Sequence, residues 1–310
     1  MSVLINQRDC ATSRKNLGLP DCIVEVGIPR GFIIVPKGWN INLETDTFDK
    51  AYCDEQIQLG NFVPVMGAVE FTNNTPEPTT EEAQGGIMSV VRNGLPQFSF
   101  KFWKGGWKYA SALYTWNSYQ AFDILLAFEN GAVAGATNGT VFSGFDLGML
   151  NSGTYMFTDG STQASVTVTM QLINADQYNS QVAILTPDVL DFNPNTDLLP
   201  ITDITLTARA DASEGKVYFF AKFAMNEAYS LNGLAIANLR CTIDGVVDTI
   251  TALSLTQDSV TKEYSFEPTA TLGAGDKVVV QLYDSVESVA CAKVGSKFYK
   301  GTSNEAVTGN

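Results

Sequence analysis

The 310-residue chain reads as mainly β, in two parts: a β-sandwich or barrel-forming domain with one short helix, followed by a second, smaller β-sandwich. Three observations predict this. Apolar residues recur at every second position in segments such as "SVTVTMQL", Ser165 to Leu172, the period of a sheet with one apolar and one polar face. Asn-Gly and Asp-Gly pairs, which tolerate the positive φ of tight turns, fall between strand-like runs at Asn93-Gly94, Asn130-Gly131, Asn138-Gly139, Asp159-Gly160 and Asp244-Gly245. A Pro- and Asp-rich stretch without periodicity, "LTPDVLDFNPNTDLLPITD" from Leu185 to Asp203, separates the halves.

Taken in order, residues 1–60 mix a strand signal, "GFIIVP", with Asp- and Asn-rich stretches and read as an N-terminal arm. Residues 61–198 form the first domain. In it, "TPEPTTEEAQGG" reads as a solvated loop. Next comes "FSFKFWKGGWKY", in which Phe98, Phe100 and Phe102 share one face of a strand. The phenylalanines are expected to be wall, the contact between sheet and helix, with Trp116 as partner. The Gly-Gly break leads into a helix from about Trp107 to Tyr119, with Ala110, Leu113 and Trp116 on one stripe, and then the strand "AFDILLAF". Residues 199–310 carry seven candidate strands: "ITDITLTA", "KVYFFAKF", "NLRCTIDG", "DTITALSL", "KEYSFEP", "KVVVQLYD" and "ESVACAKV". That number and spacing suit a sandwich of immunoglobulin type, although every tryptophan precedes residue 117, so the buried tryptophan of antibody domains is absent.

Charge excludes some functions. Nineteen basic and 33 acidic residues give −14, which argues against a duplex-binding module, because such modules need cations to displace counterions. No lysine or arginine occurs from Tyr109 to Ala208, a span that holds Asp123, Glu129, Asp146, Asp159, Asp176, Asp188, Asp191, Asp197 and Asp203. No run approaches the roughly 18 consecutive apolar residues of a membrane span, and the N-terminus lacks an export pattern, so the expectation is synthesis in a cytoplasm. Five cysteines without CxxC spacing are then expected as buried thiols.

Catalytic signals are weak. The chain has no histidine, which removes Ser-His and Cys-His arrangements and imidazole-based zinc sites. Glu77, Glu81 and Glu82 invite a glycosidase reading, but a general acid needs burial to raise its pKa and this segment reads as solvated. Asp191, Asn193, Asn195 and Asp197 match the first positions of an EF-hand loop, yet Thr196 replaces its glycine, Pro194 interrupts it and Thr202 replaces its bidentate glutamate. Side chains capping their own turn are the expected role. Neither a cofactor nor a metal is expected.

The order of parts carries a resemblance. "TTEEAQGG", "LPQFSFKFWKGG", "YASALYTWNSY" and "DILLAFENGAVAG" in succession, followed by a separate sandwich, resembles the tail tube proteins of long-tailed bacteriophages over about residues 60–185. The resemblance implies a virion structural protein, not an enzyme, whose sheets join edge to edge in rings of six copies that stack into a tube. About four strands per copy at a spacing near 4.8 Å and a tilt near 40° give a backbone diameter of about 48 Å, wide enough for a DNA duplex. The implied partners are further copies, tape-measure and terminator, tip or neck proteins, and double-stranded DNA that passes without specific binding.

In that arrangement Asp123, Glu129, Thr167, Thr169 and Gln171 are expected to line the bore, where a cation-poor surface offers phosphate few stable contacts. Lys101 and Lys104 are expected to meet Glu77, Glu81 and Glu82 of an adjoining copy. Trp103 and Trp107 between lysines could also form a stacking platform for single-stranded nucleic acid or sugar, but three lysines in so acidic a chain make a weak groove. Rival expectations are a neck or connector ring, a capsid decoration, a β-sandwich adhesin, or a carboxylate hydrolase using Glu81.

Overall fold

In the computed structural model, which describes residues 5–6, 26–83, 86–103, 105–251 and 254–308, the chain is mainly β, with curled sheets that form half-barrels. It divides into two units, one of residues up to Asp54 together with Asn61–Leu198, the other of Glu55–Gly60 together with Leu199–Asn310.

Elements of the first part follow in chain order. Strands β1 (Ile5–Asn6), β2 (Pro29–Pro36) and β3 (Asn40–Asn42) precede helix α1 (Lys50–Gln58). Strands β4 (Val63–Met66), β5 (Glu70–Asn73), β6 (Thr79–Ala83), β7 (Ile87–Arg92) and β8 (Gln97–Phe102) lead to helix α2 (Gly106–Tyr114). After it come β9 (Ser118–Tyr119), β10 (Phe122–Phe128), β11 (Val133–Asn138), β12 (Val141–Ser143), β13 (Phe145–Ser152) and β14 (Val166–Leu172). Helix α3 (Ala175–Asn179), β15 (Val182–Leu185) and helix α4 (Pro194–Asp197) complete it.

Strand β10 organises the unit. Its sequence, FDILLAF, is apolar almost throughout because both its faces are covered. Along one edge it pairs with β2 from Phe122↔Pro36 to Phe128↔Pro29. Along the other it pairs with β11 through its C-terminal half and with β13 through its N-terminal half, so the sheet forks there. One branch continues from β11 to β15 and β1, the other from β13 through β14 and β8 to β5. Between the branches Phe32, Ile34, Ile124 and Leu126 meet Phe98, Phe100, Phe102, Val168 and Met170 in one core. Ile33, Val35, Leu125 and Ala127, alternating with them, are buried too. A ring cluster of Trp39, Phe48, Phe62 and Phe142 lies on that second side. Gly135 permits the closure, since a Cβ there would stand 2.8 Å from Leu125 Cδ2 and 2.9 Å from Phe142 Cε2.

Four departures from the sequence reading have physical causes. Residues from Pro29 onward are not an arm: "GFIIVP" is β2, paired on both edges at the centre of the sheet, and Lys50–Gln58 is helical. Nor is the helix after the Gly-Gly pair the one helix present. Helices α1, α3 and α4 escape a periodicity search because α3 and α4 span barely one turn and α1 is polar. Helix α2 stops at Tyr114, not Tyr119, because Thr115 and Trp116 donate to the carbonyls of Ala112 and Leu113, the tightened last turn of a helix end. Finally, "TTEEA" is not loop. It is strand β6, and with β7 it makes a two-stranded sheet of its own, in the register Thr80↔Val90, Glu81↔Ser89, Glu82↔Met88.

The second unit is two facing sheets. One holds Thr202–Asp211, Lys216–Phe223, Asn226–Ser230, Thr256–Gln257, Tyr264–Phe266, Ala292–Val294 and Lys297–Lys300; the other holds Leu239–Ile243, Val246–Asp248, Lys277–Leu282 and Ala306–Val307. Leu206, Phe219 and Phe266 of the first pack with Cys241, Val278 and Val280 of the second. Asp244 and Gly245, at φ 50° and 80°, make the tight turn between Leu239–Ile243 and Val246–Asp248 that the sequence pair signals. "DTITALSL" is the exception among the seven candidates: Asp248 ends the strand Val246–Asp248, and beyond it only a bridge from Ile250 to Pro268 and the strand start that follows Leu255 are formed among the described residues. Cys53, Cys241 and Cys291 are buried free thiols, while Cys10 and Cys22 lie outside the described residues.

Candidate functional site

Strands β8 and β14 pair from Val166↔Phe102 to Gln171↔Gln97. Their alternation sends the phenylalanines and Val166, Val168, Met170 and Leu172 into the core and leaves Gln97, Ser99, Lys101, Thr167, Thr169 and Gln171 half-exposed on the other face. Strand β5 extends that face, with Glu70 opposite Lys101 and Thr72 opposite Ser99. Strand β13 extends it on the far side, with Asn151 opposite Thr169. Hydroxyls and amides bond to one another across it: Asn74 Nδ2 donates to Ser99 Oγ at 2.8 Å, and Ser99 Oγ lies 3.4 Å from Thr169 Oγ1. Lys101 Nζ stands 3.4 Å from Glu70 Oε2, so the cation of this face is matched within the chain. The surface is neutral and polar, and it ends at β5, which among the described residues pairs on one side only, with β8.

Of the residues expected to line a bore, Thr167, Thr169 and Gln171 are therefore together, whereas Asp123 and Glu129 are elsewhere. Asp123 is 2% exposed. Its Oδ1 lies 2.7 Å from Lys37 Nζ and its Oδ2 accepts from the Gly38 amide at 2.7 Å. Lys37 also reaches Asp146 Oδ1 at 3.1 Å, and Gln177 Nε2 donates to Asp146 Oδ2 at 3.0 Å. Burial pulls the Lys37 ammonium down, but its hydrogen bonds to the two aspartates outweigh it and leave the pKa raised. Glu129 is half-exposed in the turn after β10 and lies 3.3 Å from Arg30 Nη2. Two carboxylates of the cation-free span are thus balanced by Arg30 and Lys37, which precede it in sequence and adjoin it across the β2–β10 pair. A polar cleft of about 330 Å³ beside this cluster is lined by Trp39, Asn40, Asn138, Asp146 and Gln177. Asp123 and Asp146 already serve Lys37, so the cleft presents no spare buried acid.

Glu77, Glu81 and Glu82 are exposed, the last two on the β6–β7 ribbon. Within one copy Lys101 pairs with Glu70, while its expected partners belong to an adjoining copy; Lys104 lies outside the described residues. The ribbon also exposes Met88, Val90 and Val91, Val90 at 60%. A second exposed apolar patch joins Trp107 and Phe157, which are 68% and 66% exposed. Trp107 meets Phe157 edge-on at 5.5 Å, and Phe157 meets Tyr155 at 5.2 Å. The loop that presents Phe157 is built, not slack. Met156 and Ser165 exchange backbone hydrogen bonds at 2.8 and 2.9 Å, and Asp159 Oδ1 accepts from the Ser161 and Thr162 amides, which lower its pKa to about 2. Sequence reasoning reaches Trp103 and Trp107, as a stacking platform, but not Phe157, and it passes over Met88, Val90 and Val91. The run "IMSVVR" was the available signal for the first; the second joins residues far apart in the chain.

The wall reading of the phenylalanines holds with different partners. Phe102 meets Tyr109 of α2 at 6.2 Å, and Phe98 meets Phe71 and Tyr178, while Trp116 packs on Phe122. The EF-hand-like residues cap turns: Asn193 Oδ1 accepts from the Asn195 amide, Asp197 Oδ2 from the Asn193 amide, and Asp191 Oδ1 from the Lys50 amide. Among the described residues no cluster of acidic or cysteine side chains is arranged to hold a metal, and no helix is long and apolar enough to cross a membrane.

No family model, curated protein or solved structure matches this chain.

Proposed function

We propose that this chain is a virion structural protein whose first unit joins copy to copy along its sheet edges, forming stacked rings of six that enclose a passage for double-stranded DNA. One observation carries the reading: a neutral polar sheet face, Thr167, Thr169, Gln171, Ser99 and Asn151, that runs out to strand β5, whose far edge is unpaired among the described residues. An edge strand with free amides and carbonyls is an aggregation hazard unless another chain completes it, and ring closure turns that hazard into a directed contact. Hydroxyls and amides without spare cations suit a wall past which phosphates move, because stable duplex binding needs lysine or arginine to release counterions. The chain then works in a tail, with tape-measure and terminal proteins as partners and no catalytic task.

Size-exclusion chromatography followed by negative-stain microscopy tests this. Rings or hollow filaments support it; a monomer at every concentration ends it. A binding module is the second reading, favoured by Tyr218 and Phe220, which lie half-buried on the outer face of Lys216–Phe223 beside Thr207 and Ser265. A monomer that captures glycans on an array would favour it over the tube.

A further inference from the structure

Resting on that reading, we propose that the β6–β7 ribbon of one copy packs its Met88 and Val90 side onto the Trp107–Phe157 patch of the next.

The ribbon is the unusual element of the first unit. A two-stranded hairpin is marginal in water by itself, and this one pairs with no other strand among the described residues. It nonetheless exposes three large aliphatic side chains, Met88, Val90 and Val91, within a four-residue stretch. Alternation places Met88 and Val90 on one side, where their cross-strand partners are Glu82 and Thr80. That side is apolar along one strand and acidic at one end. Such a surface is costly to leave in water and gives the ribbon a reason to persist only if something covers it.

The aromatic patch is complementary in kind. Trp107 projects from the first turn of α2, and Phe157 is held edge-on to it by the loop that Asp159 ties. Rings fixed in advance lose little rotamer freedom when buried, which is what an anchoring pocket requires. Charge agrees on balance. The ribbon and its approach carry Glu77, Glu81 and Glu82 against one cation, Arg92, whereas α2 carries Lys108 directly after Trp107 and no acid. Donor and acceptor surfaces differ, so the contact is heterologous: each copy offers a ribbon and receives one, and the relation propagates. Edge-to-edge strand pairing and this contact are separate interfaces, one of backbone amides and one of side chains.

The test places p-benzoylphenylalanine at position 90 of unlabelled protein, mixes it with isotopically heavy wild type, irradiates, and identifies joined peptides by mass spectrometry. The same probe at Thr80, opposite Val90, serves if position 90 rejects it. The expected product joins a light ribbon to heavy residues 103–114 or 155–157. Phe157→Ser in the heavy partner should cut its yield about tenfold, the loss of one anchor side chain. Assembled rings or filaments whose crosslinks map elsewhere, or join light ribbon to light chain alone, overturn this contact while leaving the proposed function standing. A mixture that neither assembles nor crosslinks between copies overturns both.

Discussion

The Lys37 ammonium stands 2.7 Å from Asp123 Oδ1, joining residues 86 apart in sequence across the β2–β10 pair. Asp123 is nearly inaccessible, and Lys37 is the charge that permits it to be, while Lys37 itself retains a 40% exposed side chain and a second partner in Asp146. The two halves of the pair are therefore unequal. Lys37→Met leaves a buried carboxylate with only the Gly38 amide and should cost about 2–4 kcal/mol, below the usual figure for a broken buried pair because water reaches the lysine. Asp123→Asn leaves a lysine that turns to Asp146 and solvent, and should cost about 1–2 kcal/mol. Urea denaturation of both variants checks the order, and equal losses would remove the argument. Asp123→Lys, which would merely recharge a bore if Asp123 lined one, should instead leave the first unit unfolded.

The same pair sets an alkaline limit. The folded pKa of Lys37 is raised, so its contribution is fully present below the unfolded lysine value of about 10.4 and is lost as pH rises through the higher folded value. Wild-type stability should fall over that range more steeply than that of Lys37→Met. Parallel denaturation curves at pH 9 to 11.5 measure the difference, and identical slopes would contradict the assignment.

Phe100 and Trp107 lie seven positions apart in one aromatic run, yet they should respond oppositely to truncation. Phe100 is fully buried, with ring centroids 5.3 Å from Phe32 and 5.1 Å from Phe71, so Phe100→Ala should cost about 3–5 kcal/mol. Trp107 is mostly exposed, and Trp107→Ser should change the stability of the separated chain by no more than about 0.5 kcal/mol. Thermal unfolding at low protein concentration distinguishes them; a large loss at Trp107 would mean that its ring serves its own fold.

That contrast marks where the sequence was legible. Strict alternation in "FSFKF" and "SVTVTMQL" reports burial on one face directly, because a strand's side chains have no other choice of side. It cannot report whether a polar residue at the edge of an apolar run faces water or a distant cation, so in sequence Asp123 and Glu129 look no different from Thr167 and Thr169. Lys37 and Arg30 sit outside the acidic span and return to it only through the pairing of β2 with β10. "TTEEA" fails for a related reason. Threonine and glutamate read as solvated loop unless their partner strand, Ile87–Arg92, is already known to lie opposite. Of the Trp107–Phe157 patch only the tryptophan had a local signal; Phe157 joins it through a tertiary contact across fifty positions.

The described cysteines should be chemically silent until the chain unfolds. Burial raises the Cys241 thiol to about 12 and the Cys291 thiol to about 11, and pushes Cys53 well above its ordinary value, so little thiolate exists at pH 8. Iodoacetamide at pH 8 should leave all three unmodified by mass spectrometry in the native protein and modify them in guanidinium. Rapid native labelling of Cys241 would show that its sheet opens locally.

The direction in which the polar face points is the last matter a substitution can decide. Thr167 and Thr169 are half-exposed and make no buried hydrogen bond, so Thr167→Lys with Thr169→Lys should leave the unfolding midpoint of the separated chain nearly unchanged. In an assembled tube the same change adds two cations per copy to a wall that has little free positive charge. A duplex inside would then gain counterion-releasing contacts repeated ring after ring, each steepening the salt dependence of binding by about 0.9 in the log–log slope. Tubes of the double variant should therefore retain duplex DNA at low salt and release it steeply as salt rises, and particles built from them should eject their genomes slowly. Wild-type tubes should retain none at either salt. If the double variant assembles and still ignores DNA, this face lies outside the ring, and another surface of the first unit must enclose the passage.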